Sequence, residues 1–180
     1  MSPSPSEARE AAMSDLIIIG YDNAQKARQA ERLIQDLERK HVVALTGLAV
    51  VAADANGHTY VDTHDDIPRR TVATSATAGA LWGLVIGMLF LMPALGLLGA
   101  ALGGLAGKLS QSGLDKRFRD RAHELLEPGK AAVVVMTTQL SEDRFAAALE
   151  PLGGTVLKTS LSQSDEHELA QQLVGTPQAA

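Results

Sequence analysis

The chain has 180 residues and a formal net charge of −5. That is long enough for one ordinary core with an appendage, and the charge has the wrong sign for a phosphate-binding surface. One Trp, two Tyr and three Phe supply no platform for stacked bases, so no nucleic-acid partner is expected. The absence of cysteine excludes disulfides, thiolate zinc sites and thiol nucleophiles, and suits a reducing compartment.

The opening MSPSPSEAREAA is polar and rich in Pro and Ser. No apolar run follows its charges, so it does not read as a secretory signal. Residues 1–13 read as a disordered extension, with Met13 a second candidate start. Leu16-Ile17-Ile18-Ile19-Gly20 is a short apolar, β-branched run bounded by Tyr21-Asp22-Asn23, the pattern of a strand buried on both faces. From Ala24 the period changes. Ala27, Ala30, Ile34, Leu37 and His41 fall three or four apart among Lys, Arg and Asp, which predicts an amphipathic helix capped by Asp22 or Asn23. Leu45–Ala53 reads as a second strand, Asp54-Ala55-Asn56-Gly57 as a tight turn, and His58–Thr63 as a third strand.

An apolar insertion follows. Thr71 to Gly107 is 37 residues without a charge. Gly79, Gly83 and Gly87 lie four apart, as do Gly99, Gly103 and Gly107, and Gly96, Ala100 and Gly104 make a third row. Residues four apart share one helix face, so each row is a smooth strip that another backbone can approach closely. Glycine inside a helix costs about 1 kcal/mol relative to alanine, and tight helix packing, most naturally in a membrane, is the reason to keep such rows. Pro93 divides the segment. Val72–Met92 would be about 31 Å long as a helix and Ala94–Leu109 about 24 Å, against a hydrocarbon core of roughly 30 Å. A helical hairpin with its turn at Pro93 is therefore expected. Arg69 and Arg70 before it, and Lys108, Lys116, Arg117, Arg119 and Arg121 after it, place both flanks on the cytoplasmic side of an inner membrane. The alternative is a soluble homo-oligomer with the hairpin buried at its centre.

Beyond the insertion, Leu114, Phe118, Ala122 and Leu125 mark a helix ending before Pro128-Gly129. Ala131–Thr137 is a fourth strand, Ser141 can cap a helix through Leu149, and Gly153-Gly154 turns into a fifth strand, Thr155–Leu161. A polar helix runs from Ser164 to about Val174, and residues 175–180 read as a disordered tail. The expected fold is α+β. The first six elements, βαββαβ, match a ferredoxin-like sandwich with helices on one face, followed by an extra αβ unit. Residues 14–70 and 110–174 would form this domain around the glycine-zipper hairpin, residues 71–109.

DLIIIGYDN near the start, ALWGLVIGMLFLMPALGLLGAALGGLAGKLS, and LEPGKAAVVVM followed by GGTVLKTSLS resemble, in that order, a bacterial and archaeal family catalogued as domain of unknown function twelve sixty-nine. The resemblance runs over about residues 14–174. It implies a membrane-associated protein with no assigned activity, and it carries over no catalytic residues.

Chemistry-bearing motifs are few. GLLGAALGGLAGK fails as a phosphate loop, because Leu102 occupies the required glycine position and Leu109 the hydroxyl position. Asp62, His64 and Asp66 would share one face of a strand and could hold a divalent cation, or could simply be a solvated strand end. No nucleophile elbow occurs. Lys116-Arg117-Phe118-Arg119-Asp120-Arg121 could rest on anionic lipid. The expectation is a non-enzymatic, membrane-anchored interaction protein without a cofactor, associating with copies of itself and with the bilayer. The alternatives are an anchored module sensing a small ligand or ion, and the soluble assembly.

Overall fold

The computed structural model describes residues 13–62, 85–91 and 116–162. The elements, in chain order, are β1 (Met13–Tyr21), α1 (Ala24–Arg39), β2 (Val43–Ala53), β3 (Thr59–Asp62), a π-helical turn over Gly87–Leu91, α2 (Lys116–Glu124), β4 (Ala131–Leu140), α3 (Glu142–Leu149), a 3₁₀ turn over Glu150–Leu152, and β5 (Thr155–Ser162). The described residues are α+β, with a five-stranded antiparallel sheet and three α-helices. Expected strand positions match to within a few residues at either end.

Local chemistry accounts for these elements. Asn23 caps α1 by accepting the Lys26 N–H at 2.9 Å, as its short polar side chain favours. Ala27, Ala30, Ile34 and Leu37 are buried, as the period predicts, whereas His41 is exposed and ends the helix with φ +56°. Ser141 sits at the start of α3 but makes no side-chain cap. Its N–H instead donates to the Val42 carbonyl.

The strand order is β3-β2-β4-β1-β5, with every neighbour antiparallel. A sandwich built from the first six elements would seat β3 between β1 and β2. Here β4 holds that place, with Ile18 opposite Val134 on one side and Leu48 opposite Val135 on the other, and β3 lies at an edge. β2 carries a bulge near Thr46 where the register slips. There Thr137 Oγ1 lies 2.7 Å from the carbonyls of Ala44 and Gln139 and can donate to either.

Both faces of the sheet are covered, rather than one. Ile17, Ile19, Tyr21, Val133 and Val135 pack under α1 and α3. Leu16, Ile18, Ala132, Val134 and Met136 pack on the opposite face, under Phe118, Ala122 and Leu126, and under Val85, Ile86, Leu89 and Phe90. The end of the expected first hairpin helix is thus part of the domain core. Leu89 is completely buried, and Thr59 Oγ1 donates to the Phe90 carbonyl at 3.0 Å. Burying side chains of this size is worth roughly 1.5–3 kcal/mol each, which holds the turn to the sheet. Leu89→Ala is therefore expected to lower unfolding free energy by about 2–5 kcal/mol in urea, followed by circular dichroism. Unchanged stability would mean that residues 85–91 do not cover the sheet.

Candidate functional site

The expected working surface is the glycine-rich segment, and of its packing residues Gly87 is the described one. Val85, Ile86, Leu89 and Phe90 turn toward the sheet, whereas among the described residues nothing lies within 4 Å of where a Gly87 Cβ would stand. None of the described core side chains fills the space beside Gly87. Gly79, Gly83, Gly96, Gly99, Gly103, Gly104 and Gly107, the Pro93 turn, and the basic residues Arg69, Arg70 and Lys108 lie outside the described residues. Among the described residues, no helix is long and apolar enough to cross a membrane.

The Phe90 and His123 rings meet edge-on at 6.4 Å between centroids, so the turn at residues 85–91 lies against α2 on one face of the sheet. Four basic residues lie on α2, whose Phe118 and Ala122 are buried while Lys116, Arg117 and Arg121 are exposed. Arg119 is half-buried. Lys116 forms an i,i+4 ion pair with Asp120 at 2.7 Å, and its hydrogen bond holds the Asp120 carboxyl below the usual range. The basic stripe is partly neutralised from within. Asp62 closes β3, opposite Val50, while His64 and Asp66 lie outside the described residues. Among the described residues, no three His, Cys, Asp or Glu side chains cluster to hold a metal ion.

Two features have no signature in the linear sequence. A cleft of about 390 Å³ opens between α3 and the β1–β5 pair, lined by Ile17, Ile19, Phe145, Leu149, Val156 and Lys158 among others. At its rim Lys158 pairs with Glu142 and, at 3.1 Å, with Asp15. The hydrogen bond to Glu142 is the first cause raising its pKa. Gly154 forms the cleft's end at φ +110°, where an added Cβ would stand 2.9 Å from the Gly20 carbonyl oxygen. Only a residue without a side chain fits there at low cost.

Tyr21 is the second feature. It is 3 % exposed, and among the described residues its hydroxyl has no hydrogen-bond partner. Burial pushes its pKa up to about 12, because the phenolate would lose its hydration. Between pH 10 and 12 the unfolded chain then gives up a proton that the native state keeps, so native stability falls as pH rises through that window. The total loss is about 3 kcal/mol at roughly 1.4 kcal/mol per pKa unit. Denaturation curves across this window should show the decline in the parent and not in Tyr21→Phe, which should be no less stable at pH 7 because the hydroxyl it removes is unpaired.

No curated protein and no solved structure matches the chain. A family model does match, over residues 76–174, which is more than half of the chain. It takes in the apolar segment and everything through β5, while the DLIIIGYDN strand that also carried the resemblance falls outside it. The chain belongs to DUF1269, a family described as protein of unknown function.

Proposed function

We propose that this is a non-enzymatic structural protein. In this reading an α+β domain displays a glycine-zipper hairpin, and the hairpin joins copies of the chain to one another within the inner membrane, with the domain in the cytoplasm. The carrying observation is the Phe90–His123 contact, since it sets the described turn before residue 92 against the helix that begins at residue 116, as a hairpin between them would need. The space beside Gly87, empty among the described residues, supports the packing role, because small residues let a second backbone approach. Cations on α2 suit an anionic lipid surface. Neither a catalytic residue nor a cofactor is assigned.

The domain itself reads as ferredoxin-like by a different set of elements from βαββαβ in chain order. β5-β1-β4-β2, with α1 and α3 on one face, gives the split β-α-β arrangement, and β3 is an added edge that leads into the insertion.

A second reading has its own support. Because residues 85–91 belong to the sheet's cover, the crossing helix Val72–Met92 would keep only 72–84, about 20 Å, which is short of a bilayer core. A soluble homo-oligomer built around the remaining glycine rows fits that constraint better.

Carbonate extraction separates the two. The full chain is expected to stay with membranes, while a version with residues 92–115 replaced by a short polar linker should be soluble and folded. In the same preparation, Gly103→Leu should reduce assembly mass without changing the domain's circular dichroism. Release of the full chain as a large particle would instead favour the soluble assembly, and unchanged mass in Gly103→Leu would remove the glycine rows from either account.

A further inference from the structure

α2 carries Lys116, Arg117, Arg119 and Arg121 against Asp120 and Glu124, and two of these cations are already occupied. Lys116 is held by Asp120 at 2.7 Å. Arg119 is half-buried and engaged within the chain. Arg117 and Arg121 are exposed, and neither makes an ion pair among the described residues. Four residues apart, they stand side by side on one helix face, with Cβ atoms about 5–6 Å from each other. Like charges at that spacing weaken a helix, so an anion shared between them would relieve a repulsion. The other side of the sheet differs. There Lys26 and Arg39 of α1 are paired with Asp22 and Asp36, Arg32 has Asp36 one turn on, and α3 opens on Glu142 and Asp143.

We propose that Arg117 and Arg121 together take the phosphate groups of anionic phospholipid headgroups, so that the α2 side of the sheet is the face the domain turns to the bilayer. This rests on the membrane reading above and adds to it the lipid class and the orientation of the domain. A guanidinium offers two parallel N–H donors to a pair of phosphate oxygens, which an ammonium does not. Two such forks one helical turn apart can hold a single phosphodiester from both sides, or two adjoining ones. A headgroup of the phosphatidylglycerol type leaves that phosphate its full charge, whereas the choline ammonium of a zwitterionic lipid competes for it. The turn at residues 85–91 packs on the same side of the sheet as α2. The last described residues before 92 and the free cations therefore share one side, as a domain resting on the bilayer that receives its hairpin requires.

The chain has no native cysteine, so single cysteines in the full chain can report which side meets lipid. Glu124→Cys on α2 and Ala147→Cys on α3, each carrying a fluorophore, are placed in vesicles of phosphatidylcholine or of its equal mixture with phosphatidylglycerol. Both vesicles contain a lipid with a quenching nitroxide on its headgroup. The α2 label should be quenched in the mixture and not in phosphatidylcholine alone, and the α3 label in neither. In 1 M salt, where charges are screened within about 3 Å, the quenching should disappear. Arg117→Gln and Arg121→Gln should each lower the docked-to-free ratio about fivefold, the effect of one cation near an anionic surface, while Arg32→Gln on α1 should leave it unchanged. Equal α2 quenching in the two lipids, an α3 label quenched as strongly, or an Arg32→Gln effect as large as that of Arg121→Gln would overturn the proposal. Carbonate washing of the same vesicles keeps the two readings apart. A chain retained by both lipids with its α2 label unquenched leaves the hairpin anchored and this face wrong. A chain released from both, yet quenched in the mixture before washing, loses its hairpin anchor and keeps this face.

Discussion

Every other part of the domain depends on β4. It pairs with β1 on one side and β2 on the other, and both of its faces are buried from Ala131 through Thr137. A strand buried on both faces needs two covering layers, because each uncovered apolar side chain forfeits roughly 1.5–3 kcal/mol. α1 and α3 provide one layer. The other face receives α2, whose buried face is only Phe118 and Ala122, too narrow to cover five strands. The turn at residues 85–91 adds to it. The cover of this face is thereby divided between α2 and a portion of the apolar insertion.

This division explains which parts of the fold were legible. β1 and β4 announce themselves as unbroken apolar runs, LIII and AAVVVM, and such runs signal burial on both faces. Taken together they argue for two central strands under two covers, a step beyond the one-faced sandwich expected from element order. α1 was legible to its cap because its period and Asn23 are local. The seat of β4 between β1 and β2 was not, since partners as far apart in the chain as Val43 and Leu140, or Asp15 and Thr137, leave no local period. Leu84–Leu91 could not be apportioned either, because hydropathy has the same sign in a lipid bilayer and in a protein core.

The charged rim of the cleft was equally hidden. Asp15 and Lys158 lie at opposite ends of the described chain, and only the β1–β5 register, with Asp15 beside Ser160, brings them together. The Tyr21 hydroxyl was not marked in the sequence either: at the end of β1 it is buried with no partner among the described residues, against the usual rule for buried polar groups. Gly154 meets Gly20 for a related reason, since the turn into β5 passes so close to the end of β1 that a Cβ at Gly154 would stand 2.9 Å from the Gly20 carbonyl oxygen, while the space beside Gly20 itself is taken by the Leu125 side chain.

The central seat of β4 also sets an order of events during synthesis. β1 and β2 emerge first but have no partner in each other. They can join only when residues 131–140 have followed, and by then the whole apolar insertion has already left the ribosome. For that interval the nascent chain presents β1 without a partner and β2 paired only with β3, together with a charge-free stretch, the kind of transient apolar exposure that invites capture by chaperones. Placing the last central strand late makes closure of the sheet depend on non-local pairing, which is intrinsically slow.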